Sequence, residues 1–288
     1  MTNAVLSPTT TGLTDEAIAE SAVYALRAEA DLTPKPGLVD RRGAGAHSDM
    51  DLAMLHGSAE ALRDAFFECA SAARHLDVGS DLRDAIGVIG RAGEVQMLEA
   101  TGGVNTHRGA LWALGLLSAG AAAAPGDTAG TIDFAAQLAR TPDRRATPAR
   151  THGAEVRCRY GATGAAGEAQ SGFPHVRLYA LPALRAARCS GADEESARLA
   201  TLLALMAHLD DTCVLHRGGQ SGLRALQSGA RSVLTAGGVD TPEGGRRFAA
   251  LDDLCRTRRL SPGGSGDLLS ATIFLDAMTE KRCTPCKR

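Results

Sequence analysis

Apolar residues recur at helical spacing along most of the chain. After Thr14, a suitable N-cap, Ile18, Ala22 and Leu26 fall on one face of a first helix, whose apolar stripe stops near Glu29. The same spacing predicts further helices over residues 50–73, 81–100, 107–123, 129–140, 175–189, 193–209, 219–236, 243–258 and 265–280.

No segment shows a convincing strand pattern. Alternation of apolar and polar residues is absent, and Val, Ile, Tyr and Phe are too sparse to build a sheet. No internal repeat of fixed period is evident. We therefore predict an all-α protein with a single globular domain of about ten helices over residues 13–280. Flexible ends are expected at 1–12 and 281–288.

The composition excludes several classes of partner. A formal net charge of -2 gives no general attraction to nucleic acid or to an anionic membrane, and 3% aromatic residues argue against a base-stacking platform. The most apolar segment, residues 109–125, is short for a membrane span and is diluted by Ala and Gly. The first residues show no basic region followed by an apolar run, so we expect no secretory leader. We expect a cytoplasmic protein with no membrane or nucleic-acid partner.

The seven cysteines are scattered along the chain, as expected of reduced thiols. Cys283 and Cys286 form one C-x-x-C pair near the end of the sequence. A structural zinc site would need a second pair, so we interpret this segment as a solvated tail.

Five predicted loops combine glycine with charged or polar side chains. They are TPKPGLVDRRGAGAHSDMD (33–51), TGGVNTHRGA (101–110), HGAEVRCRYGATGAAGEAQSGFPH (152–175), HLDDTCVLHRGGQ (208–220) and SPGGSGDLL (261–269). Two other connectors contain no His, Arg, Lys or Asn and look like ordinary turns. Because binding residues concentrate on loops held by a rigid scaffold, these five segments are the candidate site.

Three of these loops are suited to binding anions. Glycine allows backbone N–H groups to approach a phosphate, and a helix N-terminus favours negative charge. Any one of the three could be only a capped helix start, but two of them carry a His–Arg pair. No Walker pattern is present. The candidate ligands are Asn105, Thr106, His107, Arg108, His216, Arg217, Gly218, Gly219, Ser261, Gly263, Gly264 and Ser265.

Pairs of carboxylates indicate a possible metal site. Asp49 and Asp51 close the first loop, and Asp210 and Asp211 lie in the fourth. Carboxylates that share an ion with a bound phosphate suit Mg²⁺, although Asp is also common as a helix cap. Together with the neighbouring His208, Asp210 and Asp211 form a cluster that weakly resembles the metal ligands of helical phosphohydrolases. No serine or cysteine nucleophile motif is present.

The five loops, taken in order, closely resemble those of the triphosphoribosyl-dephospho-CoA synthase family, and of its malonate decarboxylase branch most of all. The resemblance extends over about residues 22–276. It implies an all-α enzyme whose substrates are ATP and 3′-dephospho-CoA. The 2′-hydroxyl of dephospho-CoA attacks the anomeric carbon of the ATP ribose, and adenine leaves. A second enzyme then attaches the product, a prosthetic-group precursor, to a serine of the malonate decarboxylase acyl carrier subunit.

This resemblance suggests roles for individual residues. Lys35, Arg41, Arg42, His47, Arg108 and Arg217 are candidates to bind phosphates, with Mg²⁺ held by the acids. A carboxylate near the anomeric carbon would stabilise its developing positive charge. The candidates for the carboxylate roles are Glu168, Asp40 and Asp211, and His107 and His216 are candidates for proton transfer or phosphate contact.

Two positions depart from the family pattern. Ala166 stands where an Arg is expected before Gly167 and Glu168, and Arg157 or Arg159 upstream are candidates to compensate. Gly266 stands where Ala is usual, which is a mild change.

Two other functions compete with the transferase. A Mg²⁺-dependent nucleotide phosphohydrolase on a helical scaffold would release phosphate rather than adenine. A helical adaptor for the decarboxylase would show no turnover. The sequence leaves open whether the protein forms a homo-oligomer and whether citrate lyase is the client instead.

Overall fold

A computed structural model describes residues 13–146 and 152–279. The described chain is all-α, as predicted, and contains no strand; its one β-bridge joins Asp40 to Gly43. The helices are α1 (Asp15–Asp31), α2 (Leu52–Ala61), α3 (Arg63–His75), α4 (Ser80–Ala100), α5 (Arg108–Ala123), α6 (Thr128–Arg140), α7 (His152–Tyr160), α8 (Gly164–Gln170), a π-helical segment (Val176–Ala180), α9 (Leu181–Cys189), α10 (Glu194–His208), α11 (Thr212–Thr235), α12 (Pro242–Thr257) and α13 (Gly263–Thr279). The predicted flexible ends and the C-x-x-C pair lie outside the described residues.

Side-chain caps determine where several helices begin. The Thr14 hydroxyl accepts a hydrogen bond from the Ala17 N–H at 3.2 Å, as the sequence predicts. Asp51 caps α2 through the Met54 N–H at 2.8 Å. Such caps satisfy N–H groups that have no partner inside the helix, so these carboxylates and hydroxyls have a structural role.

Several predicted boundaries are wrong. The single helix predicted over 50–73 is two helices that meet at Leu62. Most of the predicted loop 152–175 is helical and forms α7 and α8. The predicted fourth loop lies largely inside α11, which begins at Thr212 and is broken at Gly219, where φ is 59° and ψ is -165°. The glycine-rich segments are therefore partly helix ends and helix interiors rather than loops.

The core is built around α5 and α13, which are buried along most of their lengths. Small residues let neighbouring helices approach closely. A Cβ added to Gly120 would lie 2.3 Å from the Thr131 carbonyl oxygen, so α5 and α6 can meet at this distance only with glycine there. The alanine-rich composition thus supports dense helix packing.

Three helices converge at the site through their N-terminal ends. The N-terminal ends of α5, α11 and α13 point to the same region, beside the loop 33–51: Asp267 of α13 reaches Gly109 of α5, and the cap of α11, Asp211, bonds Ser265 of α13.

Across the two described stretches, no helix on its own is sufficiently long and apolar to cross a bilayer. Taken together, α10 and α11 have the length and composition of a membrane span, but the two helices are bent by 58° relative to each other.

Candidate active site

All five glycine-containing segments contribute to one cavity of about 870 Å³. Each supplies side chains that the sequence singled out. The predicted residues that line it are Lys35, His47, Asp49, Asn105, Thr106, His107, Arg108, Glu168, Asp210, Asp211, His216, Arg217, Ser261, Gly263 and Gly264. Segments far apart in sequence thus form a single site, large enough for a sizeable ligand.

Lys35 lies in the wall of the cavity with its charge already paired. Its side chain is 1% exposed, and its Nζ donates to Glu29 Oε1 at 2.8 Å and to the Glu29 carbonyl at 2.6 Å. Burying an ion pair costs much less than burying either charge alone. Within this structure the ammonium therefore neutralises Glu29.

Asp40 and Arg42, both in the loop 33–51, form an ion pair outside the cavity. Arg42 donates to Asp40 Oδ2 at 2.8 Å and to Asp252 Oδ2 at 2.8 Å. Burial opposes ionisation of Asp40, but hydrogen bonds from Arg42 and from the Lys35 N–H hold its pKa below the usual value. This network ties the loop 33–51 to α12.

Seven predicted residues lie outside the cavity lining. Arg41 is exposed and pairs with Glu195, and Asp51 caps α2. The seven are Asp40, Arg41, Arg42, Asp51, Gly218, Gly219 and Ser265.

His47, Ser261 and Arg217 form a polar group at one side of the cavity. His47 Nε2 lies 2.7 Å from the Ser261 hydroxyl, and Arg217 lies 3.2 Å from His47 Nδ1. Arg217 also donates to the Ala46 carbonyl at 3.2 Å. Burial and the neighbouring guanidinium lower the pKa of His47. A neutral imidazole beside a fixed guanidinium suits an anionic ligand group.

The start of α5 presents a second polar group. The His107 ring is buried, and its Nδ1 lies 2.8 Å from the Ser58 hydroxyl, which is 2.6 Å from that of Thr106. Burial, with a smaller contribution from the charge of Lys35, lowers the pKa of His107 to about 4. His107 is therefore neutral near pH 7 and can exchange hydrogen bonds without carrying charge.

Two buried donors near the start of α5 have no hydrogen-bond partner. They are Nε of Arg108 and Nε1 of Trp112, both from residues that line the cavity. The rest of the Arg108 guanidinium pairs with Glu94. An unsatisfied buried donor costs free energy, and a bound ligand could relieve that cost.

Glu168 is held by His175, a residue that the sequence analysis did not select. Its Oε1 accepts the His175 N–H at 2.8 Å, and its Oε2 lies 2.7 Å from His175 Nδ1. This hydrogen bond raises the pKa of His175, which also bonds the His208 backbone. Tyr179 stacks between the two histidine rings, 3.9 Å from His208. The Glu168 carboxylate is thus fixed in orientation.

Asp211 joins the starts of two helices. One oxygen accepts the N–H groups of Cys213 and Val214 at 3.0 and 3.3 Å, and the other accepts the N–H and hydroxyl of Ser265 at 2.8 and 3.0 Å. Burial raises the pKa of Asp211, and these four donors oppose that shift. Both oxygens are therefore occupied by the protein itself.

Three lining or supporting residues were not predicted from the sequence: His175, Asp267 and Trp112. His175 and Asp267 lie inside the motifs GEAQSGFPHV and SPGGSGDLL, in which Glu168, glycines and serines were the predicted site residues. Arg157 lines the cavity together with Ala166, whereas Arg159 packs over the Tyr160 ring at 5.2 Å. Of the two arginines proposed to compensate for Ala166, Arg157 is the better placed.

Comparison with known proteins identifies the family of the chain. The model of the CitG family, described as ATP:dephospho-CoA triphosphoribosyl transferase, matches residues 15–285. The chain belongs to the CitG family. Its relatives include a protein of Stutzerimonas stutzeri, 52% identical over 273 residues and 94% of both chains. Proteins of Pseudomonas fluorescens Pf-5 and Azotobacter vinelandii are 54% and 53% identical over 91% of both chains. All three relatives are named probable 2-(5''-triphosphoribosyl)-3'-dephosphocoenzyme-A synthase. No solved structure matches the chain.

Proposed function

We propose that this transferase moves the 5-triphosphoribosyl group of ATP to the 2′-hydroxyl of 3′-dephospho-CoA and releases adenine. The observation that carries the proposal is the convergence of all five motif segments on one cavity. The family match over residues 15–285 and the names of the relatives support the same activity.

The cavity contains groups suited to two polyphosphate substrates. Arg217, Arg108 and Arg157 line it, and the N-terminus of α5 opens towards it. Guanidinium groups bind phosphate in bidentate fashion, and helix N-termini favour anions. His47 and Ser261, which hold each other at 2.7 Å, add neutral hydrogen-bonding groups beside Arg217.

A magnesium ion fits the site as an ion shared with substrate. Among the residues that the structure describes, no three His, Cys, Asp or Glu side chains could hold a metal alone. Mg²⁺ in nucleotide enzymes commonly uses one or two carboxylates together with phosphate oxygens. Asp51 caps α2, and Asp211 already accepts hydrogen bonds from the protein. Asp49 and Asp210, which line the cavity, are therefore the residues that would hold the magnesium ion. When bound, the ion would neutralise charge on the triphosphate.

Glu168 is the best candidate to stabilise positive charge on the ribose. Its carboxylate lines the cavity, and His175 fixes its orientation through two contacts. Loss of a base from a ribose develops positive charge at the anomeric carbon, and a fixed carboxylate nearby lowers the energy of that state.

The malonate decarboxylase acyl carrier system is the proposed user of the product. The support for this client is the resemblance of the five motifs to that branch of the family. A cytoplasmic location is part of the same proposal, since ATP is the donor and the described cysteines are free thiols.

The direct test incubates the purified protein with ATP, Mg²⁺ and 3′-dephospho-CoA and follows products by mass spectrometry. We expect free adenine and triphosphoribosyl-dephospho-CoA in equal amounts. Phosphate or ADP without adenine would favour the phosphohydrolase, and the absence of any turnover would favour an adaptor. Glu168→Gln is expected to lower kcat by about 10²–10³-fold.

A further inference from the structure

Asp267 differs from Glu29 and Glu168, two other acids that line the cavity, in having no side-chain partner. Glu29 is paired with Lys35, and Glu168 is paired with His175. Asp267, at the start of α13, lines the same cavity, yet no hydrogen bond or ion pair to another side chain is found for it within the described residues.

The remaining acids of the cavity are accounted for in other ways. Asp211 accepts four hydrogen bonds from the starts of α11 and α13. Asp49 and Asp210 are exposed to solvent at the edge of the cavity. Asp267 is thus the acid of the cavity wall that has no side-chain partner and can still accept a hydrogen bond from a ligand or donate one to it.

The surroundings of Asp267 favour its neutral form. Its Oδ2 lies so close to α5 that a Cβ on Gly109 would be 2.1 Å away. Burial raises the pKa of Asp267 well above the usual value, and the charges of Asp211 and Glu29 raise it further. Only the Ala110 N–H opposes this shift. A carboxyl group in such a place holds its proton to a higher pH than an ordinary aspartate does and can act as an acid.

Other titratable groups near Asp267 do not supply a compensating cation. The Cys213 thiol from the start of α11 has its own pKa raised by burial and by the nearby Asp211 and Asp267. The buried ammonium of Lys35 is bound to Glu29. No cation is among the groups that shift the pKa of Asp267.

We propose that Asp267 is a catalytic residue that donates a proton to the departing adenine. This inference rests on the proposed transferase function. The bond between ribose C1′ and adenine N9 breaks, and its electron pair leaves with adenine. The Asp267 carboxyl gives its proton to an adenine ring nitrogen. The 2′-hydroxyl oxygen of dephospho-CoA forms the new bond to C1′, and the proton that it loses restores the Asp267 carboxyl.

A purely structural role for Asp267 makes a different prediction. His107, at the N-cap position of α5, makes no side-chain cap. The structural role of Asp267 would then be to accept a hydrogen bond from the Ala110 N–H near the start of this helix. In that case Asp267→Asn, which keeps an acceptor, would leave kcat unchanged and would not stabilise the fold. A catalytic acid whose charged form destabilises the fold gives the opposite result. Its replacement lowers kcat and raises the free energy of unfolding.

The test measures turnover and stability of the same Asp267→Asn protein. We expect kcat to fall by about 10²–10⁴-fold, the usual contribution of a general acid, with KM little changed. The folded state binds the Asp267 proton more tightly than the unfolded state does. Wild-type stability therefore falls as pH rises from about 4 through the folded pKa, and the variant escapes this loss. We expect the variant to be the more stable protein at pH 8.

The pH dependence of turnover separates the acid from a positioning residue. The wild-type rate should decline as pH rises through the pKa of Asp267, and the residual rate of Asp267→Asn should lack that decline. Asp267→Glu, which restores an acid, should recover part of the activity that Asp267→Asn loses.

The matched control is Asp276→Asn, on the same helix but outside the cavity, where Asp276 pairs with Arg188. Its turnover should equal that of the wild type. If the wild type releases no adenine, the proposed function itself fails. If the wild type is active and Asp267→Asn keeps full kcat, or is less stable than the wild type at pH 8, the assignment of Asp267 is overturned.

Discussion

The ammonium Nζ of Lys35 lies 2.8 Å from Oε1 of Glu29, and both side chains are shielded from water. The pair lies in the wall of the cavity and joins the loop 33–51 to α1. Lys35 was predicted from the sequence as a phosphate ligand, and this geometry gives it a structural task inside the protein.

Replacing Lys35 by Met should destabilise the fold strongly. The Glu29 carboxylate would be left buried without a cation, which costs about 3–5 kcal/mol of unfolding free energy when one partner of a buried pair is removed. Urea denaturation of the wild type and of Lys35→Met measures this cost.

The double variant Lys35→Met with Glu29→Gln is the control, because it removes both charges. It should recover most of the lost unfolding free energy. If Lys35→Met instead unfolds like the wild type and only raises KM, Lys35 acts as a substrate ligand and the structural interpretation is wrong.

Arg217 offers a second test, directed at substrate binding. Its guanidinium lies beside His47 and the Ala46 carbonyl at the cavity wall. Loss of one hydrogen bond to a charged group costs roughly 1.5–3 kcal/mol, so Arg217→Gln should raise the KM of one substrate by about 10-fold to 100-fold. Steady-state kinetics with each substrate varied in turn identifies which one Arg217 binds.

Arg246→Gln is the matched control for Arg217. Arg246 lies on α12, is exposed and pairs only locally with Glu243. It should leave both KM values unchanged. Equal effects of the two substitutions would mean that Arg217 acts through the general charge of the protein rather than through a contact.

Helix periodicity predicted the fold class and most helix positions, for a physical reason. Apolar residues at helical spacing bury one face, and this signal is strong in α3, α6 and α9. The signal is weak in α8, GAAGEAQ, which has no large apolar residue, so the segment was predicted as loop. The break at Leu62 depends on how α2 and α3 pack, which local patterns do not encode.

The site was predictable in position but not in the state of its side chains. Glycine-rich motifs located the cavity, and Arg217 and Glu168 line it as expected. Whether an acid is free or already bonded depends on contacts across the fold. Asp211 accepts hydrogen bonds from Ser265, which lies 54 residues further along the chain, and no sequence pattern signals such a pairing. Asp267 was overlooked for the same reason.

The buried His107 ring predicts a stability loss in mild acid. Burial lowers its pKa to about 4, so the folded protein binds its proton less tightly than the unfolded chain. The contribution of His107 is complete above about pH 6.5 and is lost as pH falls towards 4, by up to about 3 kcal/mol. Urea denaturation at pH 7.5, 5.5 and 4.5 should show this loss in the wild type and less of it in His107→Gln.

His75→Gln is the control for His107. His75 is exposed on α3 and bonds only the Ser71 carbonyl of its own helix. Its substitution should leave the acid-induced loss unchanged. A constant difference in unfolding free energy between the wild type and His107→Gln across this pH range would contradict a neutral, buried His107.

A methyl group at Gly109 should displace the Asp267 carboxylate without unfolding the protein. The Cβ of Gly109→Ala would lie 2.1 Å from Asp267 Oδ2, far inside contact distance. A displacement of about 1 Å in a reacting group can cost about 10²-fold in rate, so kcat should fall to that extent while KM changes little. Adenine release under saturating substrates measures the loss.

Gly90→Ala separates this steric effect from the general effect of placing alanine in a helix. Gly90 lies within α4, and a Cβ there would meet no atom within 4 Å. Alanine should therefore stabilise the fold by about 0.5–1 kcal/mol and leave kcat unchanged. If Gly109→Ala is as active as Gly90→Ala, the Asp267 carboxylate can move freely, and a fixed acid at this position is no longer tenable.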